Sequence, residues 1–451
     1  MSISSLFEIG RRSLSGYQTA IDTTSNNIAN SNNEGYTRRR VDLNNLTTIN
    51  GFAGFGSGVD ASSLSRMREK FAEYSLWREN HNLGKYEKTE TLLTQIESIF
   101  GDDSDGSLQN VLSEFWNSWN DLATEPESES YRTLVKNKGQ LLANTFRSTH
   151  TRVVKLQRQL DPELYESVAM INKMSEQLLE INQQLRLGNS PDLMDRRDQL
   201  ITDLSHIINI DVKEKDNGEV SILFGGHILI SENKANALEV NIDRTNNLHA
   251  ATITFKDSDF EPDIDGGSLS GLLNVFNENI PNYLDQLDTL ANSISEQVNS
   301  AHSAGYNLAG TTGINFFNSG SSGAANLQMN QAVINDPTLI ATRGATEGVG
   351  ANSVAESIFN LQFDTFVANE TPADFYISLV TEIGSEIDDA SFLRYSQELI
   401  TQQLQNQRDE ISGVSLDEEM TKLVQYEQAY QAAAKIIQTV DEMINTVLEL
   451  A

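Results

Sequence analysis

Apolar residues near the start of the chain recur at alternating spacings of four and three, at Ile3, Phe7, Leu14, Tyr17, Ile21 and Ile28, with Gly10 and Thr24 at the two weaker steps. That spacing predicts an amphipathic helix with a heptad-like stripe. The end of the chain carries a stricter form. One row holds Leu416, Leu423, Tyr430, Ile437, Ile444 and the terminal Ala451. A second row, three residues further on, holds Tyr426, Ala433, Val440 and Val447, and only Glu419 breaks it. Gly413 separates this segment from the preceding one, and Ser415 with Glu418 offers a capping box. A helix about 50 Å long is expected from Leu416 to Leu448, at roughly 1.5 Å per residue.

A lone amphipathic helix gains little in water from propensity, so each end needs a partner. Residues 1–40 carry Arg11, Arg12, Arg38, Arg39 and Arg40 against Glu8, Asp22 and Glu34, while residues 413–451 carry Lys422 and Lys435 against seven acids. Opposite charge favours pairing the two ends as a coiled coil. Periodicity alone equally allows each end to lie on the body as an ordinary surface helix.

Helical stripes dominate the middle. Leu108, Val111, Leu112, Phe115, Trp119 and Leu122 mark one, and Leu164, Val168, Ile171, Leu178, Ile181 and Leu185 another, broken by Gly188 and Pro191. Near residue 207 the texture changes to alternating β-branched residues. Asp216-Asn217-Gly218 and Gly225-Gly226 then read as hairpin turns, with further strands around Val240 to Ile242 and Ala251 to Phe255. Helix resumes after Gly267, and residues 305–353 are rich in Gly, Asn, Ser and Thr. The expected fold is mainly α. A terminal coiled-coil domain (1–45 with 413–451) joins a helical-bundle body (46–206 with 266–412, loop-rich at 305–353), and a β-rich domain is inserted at 207–265.

Composition narrows the function classes. The 451 residues suffice for two or three domains. A net charge of -32 argues against a whole-protein nucleic-acid or anionic-membrane binder. No apolar run approaches the roughly 20 residues that span a bilayer, so no membrane insertion is expected. The first residues lack the basic start and continuous apolar core of a cleaved signal. Cysteine is absent, which removes disulfides and thiolate chemistry.

A search for catalytic or ligand chemistry returns none. The six histidines, His81, His150, His206, His227, His249 and His302, form no i, i+4 pair. GDDSDG at 101–106 places Leu112 where a calcium loop requires a bidentate Glu. GFGSGV at 54–59 lacks the Lys-Ser or Lys-Thr of a phosphate loop, and GGSLSGL at 266–272 puts Leu269 where a nucleophile elbow needs Ser. No catalytic residue, cofactor or metal ligand is expected.

Two stretches carry a resemblance. NNIANSNNEGY at 26–36 resembles the Asn-rich signature of the flagellar axial proteins of rod, hook and junction, and LVQYEQAYQAAAKIIQTVDEMINTVLEL at 423–450 is similar to their C-terminal helix. Tyr426, Ala429, Tyr430 and Ala432 match the junction form of that helix, and the segment LMDRRDQLITDLSHIINIDVKEKDNGEVSILFGGHILI at 193–230 resembles junction members and has no counterpart in hook or rod subunits. Asn33-Glu34 departs from the usual Thr-Pro-like pair.

The resemblance implies a structural subunit, exported unfolded through the flagellar type III apparatus to an extracellular place between hook and filament. Its implied partners are copies of itself in a ring, hook protein, a second junction protein, and a cytoplasmic chaperone that holds the C-terminal region before export. The implied interface comprises Ile3, Phe7, Leu14, Tyr17, Ile21, Ile28, Leu416, Leu423, Tyr426, Tyr430, Ile437, Val440, Ile444 and Val447. The terminal helices are expected to be weakly ordered in the monomer and to order on assembly. Asn27, Asn30, Gly35 and Tyr36 form the signature corner, with Gly35 free to take positive φ and Arg38 to Arg40 meeting acidic surfaces. Three alternatives remain open: a hook or distal rod subunit, a secreted cell-wall hydrolase on a flagellar scaffold, and a cytoplasmic coiled-coil adaptor.

Overall fold

The computed structural model describes residues 3–33, 35–45, 58–101, 106–188, 190–245 and 247–449. Most of GFGSGV, the interior of GDDSDG, Glu34 and the terminal Ala451 lie outside the described residues. Helix α1 (Ile3–Ala29) is followed by β1 (Arg39–Asn45) and β2 (Val59–Arg66). Long helices come next: α2 (Lys70–Phe100), α3 (Leu108–Thr124), α4 (Glu129–Gln159), α5 (Asp161–Leu187) and α6 (Pro191–Ile207). Five strands follow, β3 (Ile210–Glu214), β4 (Val220–Phe224), β5 (His227–Ile230), β6 (Leu238–Asp243) and β7 (Ala250–Phe255). Helix α7 (Ser268–Asn274) then runs through a π-helical turn, Val275–Asn279, into α8 (Ile280–Ala304). The short α9 (Gln331–Asn335) and α10 (Ser353–Asn360) precede the two closing helices, α11 (Pro372–Ser412) and α12 (Leu416–Glu449).

The chain folds into two compact units. The first, here the terminal unit, comprises Met1–His81, Asn172–Asn236 and Gln397–Ala451. Its apolar interior gathers Leu76, Trp77, Leu178, Ile181, Ile201, Leu204, Ile222 and Phe224. Polar side chains tie the elements around it. The Trp77 indole donates to Thr202 Oγ1 at 3.0 Å, and Asn182 exchanges hydrogen bonds of 2.8 and 2.9 Å with the backbone of Val220.

The second, central unit comprises Asn82–Ile171 and Ala237–Ser396. Its core is aromatic: Phe115 and Trp119 of α3 lie 6.4 Å apart and pack on Phe316 and Phe317 at centroid distances of 5.3 to 6.1 Å. Phe146, Phe276 and Tyr283 are also fully buried. Gly271 lets α7 approach α2, since a β-carbon there would lie 2.5 Å from the Lys85 carbonyl oxygen.

The mainly α fold with small antiparallel sheets agrees with the sequence expectation. Its division differs in two places. Residues 207–265 do not form one β module: β3, β4 and β5 make a three-stranded sheet in the terminal unit, while β6 pairs only with β7 in the central unit. The predicted turns are real, with Gly218 at φ +81° and Gly225 and Gly226 at +52° and +80°, but hairpin spacing reports local pairing and carries no information on which core each hairpin covers.

Residues 39–45 and 59–66, expected in a terminal helix domain and in the body respectively, pair antiparallel as β1 and β2. The Gly- and Asn-rich stretch 305–353 is loop-rich as expected, yet Phe316, Phe317, Leu327, Val333 and Ile340 within it are buried.

That irregular stretch stays ordered because side chains replace the missing secondary-structure bonds. Arg132, fully buried, donates to the carbonyls of Pro126 at 2.6 Å and Ile340 at 2.5 Å, and to Thr342 Oγ1 at 3.2 Å. His302 donates from Nδ1 to Ile314 O at 2.7 Å and accepts the Ala341 amide at Nε2 at 3.0 Å. Those two bonds require the neutral ring, and burial pushes its pKa down to about 4.

Candidate functional site at the paired chain ends

Helices α1 and α12 pair antiparallel within the terminal unit, as Gly10 beside Ile437, Tyr17 beside Tyr426 and Asn27 beside Glu419 show. On α1 the seam coincides with the row the periodicity singled out only at its two weaker steps, Gly10 and Thr24. Helix α1 buries Gly10, Ser13, Gly16, Ala20, Thr24 and Asn27. Three of these, Ser13, Ala20 and Asn27, each lie one residue before the expected Leu14, Ile21 and Ile28. Phe7 remains 43 % exposed, and Ile3, Leu14, Tyr17, Ile21 and Ile28 are only partly covered. Small side chains let the backbones approach: a β-carbon on Gly10 would lie 2.8 Å from Ile437 Cγ1. Large residues in those positions would hold the helices apart.

On α12 the buried residues are Glu419, Ala433 and Val440. Leu423, Tyr426, Tyr430 and Ile437 are partly covered, and Leu416, Ile444 and Val447 are exposed. The opposite flank of α1 rests on β1 and β2, where a β-carbon on Gly16 would lie 3.7 Å from Val59 O and Ala61 N. Sequence periodicity therefore identified the correct helices and, in the second row of α12, the buried positions, whereas on α1 only Gly10 and Thr24 of its row are buried, because periodicity ranks positions by size while close antiparallel packing selects the smallest.

The corner after α1 is built on Asn27. Its amide nitrogen donates to Arg39 O at 2.9 Å and to Glu419 Oε2 at 2.8 Å, and its oxygen accepts from Arg39 N at 3.1 Å and the Tyr36 hydroxyl at 2.9 Å. One buried amide thus fixes the chain entering and leaving the turn. Asn30 bonds back to Asn26 O, and Gly35 sits at φ +84°, a region costly for a side chain with a β-carbon. The Arg39 guanidinium lies 4.8 Å from the Tyr36 ring centre.

The arginines meet acids of the same chain. Arg38 binds Glu419 at 2.9 Å and Glu418 at 2.7 Å, Arg39 binds Asp192 and Asp195, and Arg40 binds Asp42 at 3.0 Å. Behind this lies a second cluster unsuspected from the sequence. Arg66 contacts Asp195 at 2.9 Å and Asp198 at 2.6 Å, Arg68 contacts Glu73 and Glu214, and Arg197, fully buried, contacts Asp198 at 2.6 Å and Glu214 at 3.2 Å.

Burial works to raise the Asp198 carboxyl, but Arg197, Arg66 and Arg68 outweigh it and hold the group below its ordinary range. The same contest at Glu214, with Arg197, Arg68 and Lys70 winning, lowers its pKa too. The one available signal was the mirrored charge order Asp195-Arg196-Arg197-Asp198, in which Asp195 and Arg197 are buried.

The histidines have separate structural surroundings: His249 bonds Asp161 at 3.0 Å and His302 the loop backbone. Among the described residues no group of three His, Cys, Asp or Glu side chains is placed to hold a metal ion, and no helix is long and apolar enough to cross a membrane.

Three family models cover different parts of the chain. The flagellar hook-associated protein FlgK helical domain matches residues 93–317. A flagellar basal body rod protein model matches 7–37, and the flagellar basal body rod FlgEFG protein C-terminal model matches 405–450. The two terminal matches coincide with the corner-bearing helix and its antiparallel partner. Flagellar hook-associated protein 1 of Bacillus subtilis is 29 % identical over 98 % of this chain and 97 % of its own length. The chain is, over almost its whole length, a homologue of flagellar hook-associated protein 1.

The Salmonella typhimurium member is 25 % identical over 99 % of this chain and 100 % of its own length, in an alignment of 555 positions against 451 residues here, so that relative carries extra segments. The flagellar hook junction protein FlgK from Burkholderia pseudomallei shares the fold, with a TM-score of 0.66 at 13 % identity over 75 % of this chain and 100 % of that one. The family is one of structural flagellar proteins of the hook–filament junction, and nothing in these likenesses supports the wall-hydrolase alternative.

Proposed function

We propose that the antiparallel pair of α1 and α12, with its Asn27–Tyr36 corner, is the element through which this subunit assembles, outside the cell, as adaptor between hook and filament. The observation that carries the proposal is the uncovered row. Because pairing consumes the small residues, Phe7, Leu416, Ile444 and Val447 stay exposed, and Met443 and Leu448 extend the apolar face along the last turns of α12. An exposed apolar stripe on a helix is a liability in a solitary subunit and an asset in an array, where neighbours bury it.

The neighbours are further copies of the chain, hook protein and a second junction protein, and the same stripe on α12 is what a cytoplasmic chaperone would shield before passage through the type III export apparatus. A chain without cysteine crosses such a channel with no crosslink to undo. Deleting the gene and imaging the cells tests the reading. Complete hooks without filaments, with filament protein shed into the medium, are expected; normal filaments would refute it. Hydrogen exchange adds a residue-level check, since residues 441–449 should exchange freely in the soluble chain and become protected in isolated flagella.

A further inference from the structure

The antiparallel seam has a weakness that its own pattern creates. Gly10 lies beside Ile437 and Tyr17 beside Tyr426, and both helices repeat every seven residues, α1 at 10, 17 and 24, α12 at 423, 430 and 437 and at 426, 433 and 440. Sliding one helix by a heptad therefore sets a similar row against a similar row. Small residues on α1 and medium ones on α12 provide little interlocking to oppose the slip. Something other than apolar packing has to choose the register.

Glu419 is the only residue that interrupts its row, and it is 1 % exposed. Its carboxylate accepts from Asn27 Nδ2 at 2.8 Å and Arg38 Nε at 2.9 Å, with Lys422 Nζ at 3.3 Å on the same helix. Asn27 is equally buried, and Arg38 is held from the backbone, its amide donating to Ser412 O at 2.8 Å. Glu419 thus meets α1 and the strand-bound arm after the corner at once. A heptad slip would set Tyr426 or Ser412 where Glu419 meets the Asn27 amide and leave a buried carboxylate without its donors, a loss far larger than the packing difference between registers.

We infer that Asn27, Glu419 and Arg38 form a polar pin that sets the register of the two chain ends, so that the amino- and carboxy-terminal helices pair in one alignment and no other. The inference concerns pairing within the chain and stands apart from the assembly reading; it is tested on soluble protein, whereas that reading is tested in flagella.

The absence of cysteine makes disulfide trapping clean. One variant of the full chain carries Gly10→Cys with Ile437→Cys, the native neighbours. Two others pair Gly10→Cys with Tyr430→Cys or with Ile444→Cys, one heptad to either side, each with Ile437→Ala so that the new β-carbon at position 10 meets no Cγ1 in the native register. Trapping rates under mild oxidation are compared with rates in urea. In the parent sequence the native pair should close at least about tenfold faster than either slipped pair, the minimum expected from hydrogen bonds to a buried charge.

Adding Glu419→Leu, which completes the apolar row, should bring a slipped pair to within about threefold of the native one and well above its own rate in urea. Glu419→Gln, which keeps an acceptor for Asn27 or Arg38, should retain the native preference. The inference is overturned if Glu419→Leu leaves the native pair dominant, if the parent shows no preference, or if every pair in Glu419→Leu closes at its urea rate, since that would be simple unfolding.

Discussion

The two units are built on different chemistry. The central unit closes over aromatic rings, with Phe115, Trp119, Phe146, Phe316 and Phe317 buried together in α3, α4 and the irregular stretch after α8. The terminal unit has an apolar interior too, yet the parts that bring the chain ends together meet through charge: Arg38, Arg39, Arg66, Arg68 and Arg197 against Glu73, Asp192, Asp195, Asp198, Glu214 and Glu419. Aromatic packing tolerates modest misfit by repacking, whereas a buried guanidinium is satisfied only when its carboxylates stand in one geometry. The central unit thus supplies bulk stability, and the terminal unit supplies accuracy of position.

The contrast can be broken by unequal substitutions, because the tryptophans report separately: Trp77 lies in the terminal unit and Trp116 and Trp119 in the central one. Arg197→Met leaves Asp198 and Glu214 buried without their shared cation and should cost about 3–5 kcal/mol, seen as an early urea transition of Trp77 with the other two tryptophans unmoved. A single unshifted transition would mean the charges are not what holds that unit. The reciprocal change, Phe115→Ala, should cost a similar amount, about 3–5 kcal/mol, through the cavity it opens, and should move the Trp116 and Trp119 signal first.

Acid separates the units by pH. His302 is neutral when folded, with its pKa lowered from 6.5 to about 4, so its contribution is complete above pH 6.5 and is lost as pH falls towards 4. Up to about 3 kcal/mol is at stake, at roughly 1.4 kcal/mol for each tenfold change in proton affinity. Asp198 and Glu214 are also lowered on folding, so their contribution is present above the ordinary carboxylate range and is lost only below it. The central unit should therefore weaken first on acidification, and replacing His302 with Gln should flatten its profile between pH 4 and 6.5. Smallest is the corner: Gly35→Val forces a branched residue to φ near +84° and should destabilise the terminal unit by about 1–2 kcal/mol, measured by the Trp77 transition, with no effect on the central one.

The same contrast explains what could be read from the chain alone. The long helices and the hairpin turns were legible because each is specified by residues close in sequence, such as Asp216-Asn217-Gly218. The pairing of the ends was legible through complementary charge and matched periodicity. The α12 side of the seam was legible as the row through Ala433 and Val440; most of the α1 side was not, because the eye follows Leu14 and Ile21 while the fold buries Ser13 and Ala20. Nor was the ionic cluster, whose members come from residues as far apart as Arg66, Arg197 and Glu214 and have no shared period. Glu419 registered only as an interruption, and its meaning depended on Asn27, 392 residues away.

That separation has a consequence for how the protein comes into being. Translation delivers the central unit's residues, Asn82–Ile171 and Ala237–Ser396, before the final helix exists, whereas the terminal unit draws on the first residues and the last. Asn27 must wait for Glu419, so a chain cut short between Ser396 and the final helix holds every residue of its aromatic core and still never closes its ends. The joint is in effect a proof of completeness, available only to molecules that carry both helices.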